Sequence, residues 1–450
     1  MAAGDYQSFG RTNPPARQAI DVAEATELLT SGSARAASLL AYGNGRSYGD
    51  SCQNSGGAVV DMRSHDRILS FNVETGVIEA EAGVLLADII AAGAPHGFFP
   101  AVVPGTQFVT LGGAVANDVH GKNHHRRGSF GCHVERLTLL RSDGLTYACS
   151  PLENARLFWA TIGGMGLTGI ILSAAIRLMR VPSLDIAETV KPFGSLEEYF
   201  DLAEAADRDN EYAVAWIDQM AGGRSAGRGL LLAGNHAADG ARAVEQGAAR
   251  LSVPFQPPLT LLNRPFLRLF NAAYGWRRGR AATSTASYRK FFFPLDRVAG
   301  WNRLYGPNGL FQHQSAVPVD AARETMSALL AATRQAGQGS FLTVLKRFGA
   351  QRSPALMSFA RPGYTLTLDF PNHGQRTLKL LAELDRITVE AGGAVNPYKD
   401  ARMSAATFAA SFPDWQRLET MRDPAFMSDF WVRTAGRLAS RNGRAAQAAE

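Results

Sequence analysis

Cysteine is scarce in this chain, lysine is scarce beside arginine, and no long apolar run occurs. The three cysteines among 450 residues, Cys52, Cys132 and Cys149, follow no ligand or framework spacing, which argues against a disulfide scaffold and fits inert thiols in a reducing compartment. No stretch approaches the ~18 uncharged apolar residues of a membrane span, and MAAGDYQ at the N-terminus lacks a secretory apolar region. Cytoplasmic residence is expected, with contact at the inner membrane face left open. The net charge of +6 rests on 40 arginines against 6 lysines, scattered rather than gathered into basic runs with interleaved aromatics, so no nucleic-acid partner is expected. In a chain so biased towards arginine, a lysine can mark a place that needs a compact ammonium or a group able to release a proton.

Glycine is plentiful and unevenly placed. Positions 43–169 hold 20 of the 45 glycines, a density well above that of the remaining 323 residues. Glycine costs backbone entropy and is kept where φ must be positive or where backbone must approach another group closely. Spread over several loops, these glycines point to many backbone N–H groups converging on one phosphate-bearing ligand. The first third therefore reads as a cofactor-binding domain. It is not a Rossmann domain. Gly43, Gly45 and Gly49 are spaced one residue too long for G-x-G-x-x-G, and the helix that should follow is missing. The chain runs instead through polar SCQNSGG (51–57) into AVVDM (58–62), a short strand.

Strands are expected over 58–62, 76–80, 137–140, 145–149 and 170–178, with a hairpin turn at Ser142, Asp143 and Gly144. Helices are expected over 85–92 and 112–118, the second aiming free N–H groups at a phosphate. VPS (181–183) marks a boundary. Beyond it Ser195 and Glu198 form the capping-box pattern of a helix start. Strands over 213–217, 341–348 and 364–370 then alternate with helices over 321–336 and 377–391, an α+β arrangement with an antiparallel sheet. The expected organisation is a cofactor domain over 1–182, a substrate domain over 183–394, and a segment over 395–450 that returns to the first domain and frays from 441.

GNGRSYGD (43–50), VPGTQFVTLGGAVANDVHGKNHHRRGSFG (103–131) and IGGMGLTGI (162–170) are similar to the flavin-binding domain of the vanillyl-alcohol-oxidase superfamily. Similarity to the branch that oxidises polyprenylphosphoryl pentoses continues in YAVAWID (212–218), FPLDRVAGWN (293–302), QHQ (312–314), FLTVLKRF (341–348) and YKDAR (398–402), nearly the whole chain. HGKNHH combined with GRSYGD is a specific signal; either glycine pair alone is not. The resemblance implies a two-domain α+β flavoprotein with a discontinuous FAD-binding domain of PCMH type. Cofactor contacts are implied at Gly43, Asn44, Gly45, Arg46, Ser47, Tyr48, Gly49, Gly105, Thr106, Gly112, Gly113, Asn117, His120, Gly121, Asn123, Gly128, Ser129, Gly166, Gly169 and Ile170. Arg46 stands where several relatives carry a histidine joined covalently to the flavin, so dissociable FAD is expected. His120, His124, His133 and Cys132 are the other candidates for a covalent link.

The reaction implied is oxidation of a secondary alcohol, in which a base takes the hydroxyl proton and a cation stabilises the charge of the reduced flavin. Lys399 is the first choice for that cation by resemblance; the residues alone favour a surface lysine paired with Asp400. His120 is the alternative base, because imidazole titrates near neutrality. Tyr48 either contacts flavin or substrate or packs beside its loop. His124 and His125 lack the spaced carboxylates or cysteines of a metal site, and no metal is expected. Gln312 and Gln314 share one side of a strand, and Lys346 and Phe348 repeat the spacing. With Lys122, Trp216 and Lys399 they would suit a phosphorylated sugar, although any half-exposed sheet alternates in this way. In GYTLTLDF (363–370) Thr367 replaces a cysteine of relatives, so sensitivity to thiol-directed inhibitors is expected to be lost. The segment 257–280 mixes large apolar residues with five arginines, and reads either as a cap helix or as a surface for an anionic bilayer.

The function expected from the resemblance is oxidation of the 2-hydroxyl of a polyprenylphosphoryl pentose to a ketone. A separate NAD(P)H-dependent reductase would then complete an epimerisation to an arabinose donor. The rivals are an oxidase of a soluble alditol or sugar lactone, and a catalytically silent flavin- or lipid-binding protein.

Overall fold

The computed structural model describes residues 6–31, 38–244 and 251–440; the expected fraying from 441 lies outside the described residues. The architecture is α+β, built on two sheet systems that face each other across a cleft.

The first system begins with a parallel three-stranded sheet, in which Ala58–Asp61 lies between Gln18–Asp21 and Leu39–Tyr42. Beside it an antiparallel sheet runs in the order Ile68–Asn72, Val77–Glu81, Ile170–Arg180, Val134–Leu140, Thr146–Cys149, with Phe98–Pro100 pairing with the end of the long strand. One apolar core joins Leu39 and Val60 of the parallel sheet to Ile78, Leu139 and Ile176 of the antiparallel one and to Leu111 and Val115 of a short helix. That helix, Leu111–Ala116, starts one residue earlier than expected because Thr110 caps it, its hydroxyl accepting from the Gly113 amide at 3.2 Å. It lies close against the neighbouring chain. A Cβ on Gly112 would sit 2.8 Å from the Ala82 Cβ, so only glycine allows the approach.

The second system is one eight-stranded sheet in the order Ala282–Ala286, Ile186–Phe193, Gly229–His236, Tyr212–Ile217, Thr343–Phe348, Gly363–Pro371, Leu310–Val317, Ala394–Val395. Its neighbours are antiparallel throughout. Period-two alternation divides its residues between two faces. Leu231, Leu345, Leu366 and Leu368 bury against Leu329 of the helix Val319–Gln335 and Leu381 of the helix Gln375–Glu390. Gln312, Gln314, Lys346, Thr365, Thr367 and Asp369 fall on the opposite face, towards the first system. The helix Leu196–Asp209 covers the apolar face, and Ser195 caps it, accepting from the Glu198 amide at 3.3 Å. Glu198 accepts from Gly194 rather than from Ser195, so the reciprocal half of the box is displaced by one residue.

The terminal segment closes against the first system. Phe408, Trp415, Phe430 and Trp431 pack with Met165 and Leu167, and with Phe348 of the second sheet. Leu39 exchanges backbone hydrogen bonds with Ala425 (2.7 Å) and Met427 (3.0 Å). Arg433 clamps Asp50 at 2.6 Å and Asp400 at 2.6 Å, tying the GNGRSYGD loop to this segment. No helix among the described residues is long and apolar enough to cross a membrane.

Candidate active site

The cleft between the two systems encloses a cavity of ≈ 440 Å³. Gly43, Asn44, Gly45, Arg46, Ser47, Tyr48, Gly105, Thr106, Gly112, Gly113, Asn117, His120, Gly121, Gly166 and Gly169 line it from the first system. The backbone N–H groups of Gly45, Arg46 and Ser47 have no protein acceptor among the described residues. Unpaired amides at a half-buried cleft wall suit an external acceptor, and phosphate oxygens supply one. The loop is also tight. A Cβ on Gly43 would lie 2.4 Å from the Thr110 hydroxyl. These features fit the pyrophosphate of FAD.

The histidine-rich stretch is held by Asp118, whose φ of 40° turns the chain sharply. Its carboxylate accepts from the Ser129 hydroxyl at 2.9 Å and from the Gly131 amide at 2.8 Å. Ser129 therefore serves the loop rather than the cleft. Gly128 packs against Cys132 and Gln351, and Asn123 is buried, donating to the Ala101 carbonyl at 2.8 Å and to Glu211 at 3.0 Å. Gly49 abuts the Asp400 backbone and Ile170 lies in the core, where Ile171 takes the cleft-facing position. His125 reaches the Asn210 carbonyl at 3.0 Å, a bridge to the second system. Burial, with Lys346 and His125 nearby, pulls His124 down to about 3, and its ring packs 4.5 Å from Phe348.

From the second system Trp216, Gln312, Lys346 and Thr367 line the cleft, joined by Lys122 and Lys399. Gln314 and Phe348 stand one layer back. Gln314 accepts from the Asn396 amide at 2.9 Å, which directs its own NH2 to Thr365 at 2.9 Å and to His120 Nε2 at 3.0 Å. With an amide donating to Nε2, neutral His120 carries its proton on Nδ1. That atom lies 3.3 Å from the Lys346 amine, which also reaches the Gly121 carbonyl at 3.4 Å. Burial, then the charges of Lys399 and Lys122, lowers Lys346 to about 7. Burial, then Lys346, Lys399 and His124, holds His120 well below its ordinary value.

Lys399 is placed differently. Its neighbour Asp400 is taken by Arg433, at 2.6 Å, and Arg402, at 3.4 Å, which removes the surface-pair reading. The Lys399 amine lies 5.8 Å from the Tyr48 ring centroid. Burial lowers it to about 8, against the attraction of Asp369. Lys122 donates to the Phe291 carbonyl and sits 4.5 Å over the Phe291 ring. Arg46 lies between Phe9 and Phe108, 5.7 and 5.5 Å from their centroids.

Several cleft residues were not singled out in the sequence. Thr110 was recoverable as a helix cap before the glycine pair. Asp296, inside FPLDRVAGWN, accepts from the Gln107 amide at 2.9 Å across the two systems, a contact that its motif did not assign to it. Asn396 and Tyr274 likewise reach the cleft only through folding.

Fold and cleft together define an FAD-dependent oxidoreductase. Residues 18–150 match the family model of an FAD binding domain. A decaprenylphosphoryl-beta-D-ribose oxidase of Mycolicibacterium smegmatis is 35% identical over 446 residues, 94% of this chain and 95% of that protein. The chain belongs to the decaprenylphosphoryl-β-D-ribose oxidase family. An L-gulonolactone oxidase of Mus musculus is 29% identical over 196 residues, 43% of each chain. Cytokinin dehydrogenase 10 of Oryza sativa subsp. japonica is 32% identical over 134 residues, 28% of this chain and 24% of that one. Family membership leaves the silent binding protein without support.

Proposed function

We propose that this chain oxidises the 2-hydroxyl of a polyprenylphosphoryl pentose, such as decaprenylphosphoryl-β-D-ribose, to the 2-keto sugar with non-covalent FAD. The observation that carries the reading is the unpaired Lys399 amine facing a polar strip of Gln312, Thr367 and Lys346 in the same cleft. Bound FAD supplies the hydride acceptor for the substrate carbon. Lys399 takes the hydroxyl proton. His120 is the poorer base, since Gln314 and Lys346 occupy its two ring nitrogens and its affinity for a proton is depressed. Tyr48 supports the Lys399 ammonium with its ring face. Gln312, Lys346 and Lys122 present donors for the sugar hydroxyls and phosphate, and a cleft rich in cations suits two anionic ligands.

The apolar part of the cleft favours a lipid-linked substrate over a soluble alditol or lactone. Trp216, Leu232, Tyr274 and Phe291 line it, and Tyr274 packs against Trp216 at 4.8 Å. Tyr274 belongs to the helix Arg264–Arg278, whose Leu269 and Trp276 are 71% and 86% exposed. That helix supports peripheral contact with the cytoplasmic face of a membrane, where the substrate's chain resides. The keto product requires a partner to finish an epimerisation, a separate NAD(P)H-dependent reductase.

The test is anaerobic reduction of the flavin by decaprenylphosphoryl ribose, set beside free pentoses, alditols and L-gulonolactone. Bleaching by the lipid-linked sugar alone is expected, slowed about 100-fold or more in Lys399→Ala. Bleaching by the soluble compounds alone would overturn the substrate, and a yellow acid-precipitated pellet would overturn non-covalent binding.

A further inference from the structure

We infer that Asp369 is the buried counter-charge of Lys399, a positioning residue that stabilises the ammonium formed when Lys399 receives the substrate's hydroxyl proton. The inference rests on the proposed role of Lys399.

Asp369 lies on the cleft face of the strand Gly363–Pro371, opposite Gln312 in register, and is 0% exposed. Its backbone N–H donates to the Ser340 hydroxyl at 2.9 Å, and one carboxylate oxygen accepts from the Gln312 amide at 2.5 Å. The other oxygen is buried beside the Tyr305 hydroxyl, a neutral donor whose effect on the carboxyl is smaller than that of Gln312 or Lys399. A buried carboxylate held by neutral donors, with no adjacent arginine, is costly to keep ionised inside a protein. Lys399 is the cation that offsets this cost. It too lacks a carboxylate partner, because Asp400 is held by Arg433 and Arg402. Each group is short of what the other provides.

The groups facing the pair come from separate elements. Tyr48 belongs to the glycine loop, Tyr305 to the turn Trp301–Tyr305, and Gln312 to the strand Leu310–Val317, while the charge of Lys399 also acts on Lys346 and His120. Burial raises Asp369 to about 7 and lowers Lys399 to about 8, so both change charge where the enzyme would work. In the step served, the substrate O–H bond breaks and its proton joins the Lys399 nitrogen. The C–H hydride leaves for the cofactor, and C–O becomes C=O. Asp369 makes and breaks no bond with substrate.

The chain has only six lysines, so Lys399 can be followed by NMR in the FAD-loaded protein with isotope-labelled lysine side chains, assigned through Lys399→Arg. In the wild type its resonance is expected to titrate in two steps near neutrality. Asp369→Asn keeps the shape and can still accept from Gln312, so FAD content should be unchanged. One step should remain, displaced downward by about one pH unit or more. The acid limb of the pH profile for flavin reduction should move by the same amount. A Lys399 titration unaffected by Asp369→Asn, or a single wild-type step near the ordinary lysine value, overturns the inference. If Asp369→Asn fails to load FAD, the wild-type step pattern decides. Should no polyprenylphosphoryl sugar reduce the flavin while the titration moves as expected, the substrate reading fails and the coupling of Asp369 to Lys399 stands.

Discussion

Lys346 shows what burial does to a single charged group. Its amine faces His120 at 3.3 Å and the Gly121 carbonyl at 3.4 Å, with no carboxylate to hold the charge. Its proton affinity is lowered from 10.5 to about 7 by burial first and then by Lys399 and Lys122. Between those values the unfolded chain holds a proton that the folded protein does not, so stability rises with pH across that window. Below pH 7 both states are protonated and the full penalty is present. Lys346→Met is therefore expected to raise the thermal midpoint most below pH 7. The gain should shrink towards the ordinary lysine value, as read by calorimetry at a series of pH values. Thr367 lines the cleft and offers a hydroxyl there in place of a reactive thiol.

At the scale of elements, the glycine loop and the helix Arg264–Arg278 do opposite jobs. The loop must be closely packed. A Cβ at position 43 would meet the Thr110 hydroxyl at 2.4 Å, whereas one at Gly56 would meet nothing within 4 Å. Gly43→Ala is expected to weaken FAD binding at least about tenfold in a fluorescence titration, and Gly56→Ala to leave it unchanged, since backbone close to a phosphate tolerates no added side chain. The helix is anchored on one side only. Asn271 donates to Asp218 at 2.8 Å and Phe270 packs 4.9 Å from Phe341, while Leu269 and Trp276 face solvent. Replacing both exposed residues by glutamate should lower binding to anionic vesicles. Thermal stability should stay within about 0.5 kcal/mol, as for surface positions generally.

The whole molecule depends on charges that no single element supplies. Arg433 joins Asp50 of the glycine loop to Asp400 beside Lys399, and Arg402 joins Asp400 to Asp385 of the helix Gln375–Glu390. Asp50 and Asp400 are 3% and 2% exposed, so removing their cation strands two buried carboxylates. Arg433→Met is expected to cost about 3–5 kcal/mol in denaturant unfolding and to loosen FAD along with it. Breaking such a pair costs more than forming it gains, because the orphaned charges remain buried.

The flavin side of the cleft was legible in the sequence because its chemistry is carried by backbone. Glycines, a cap such as Thr110 and the turn at Asp118 leave local marks where they are used, and alternation in FLTVLKRF and GYTLTLDF marks strands with two unlike faces. Ile68–Asn72 and Ala282–Ala286 escaped because edge strands with little burial show no apolar alternation. Protonation states were beyond reach of the sequence. Lys122, Lys346 and Lys399 look alike as letters; one is tied to a carbonyl, one faces a histidine and one feels the charge of the buried Asp369. By itself the sequence determined the fold class, the FAD loops and the residue types at the cleft. Only the tertiary structure decided the surroundings of each amine, because burial and neighbouring charges are delivered from strands and loops far apart in the chain.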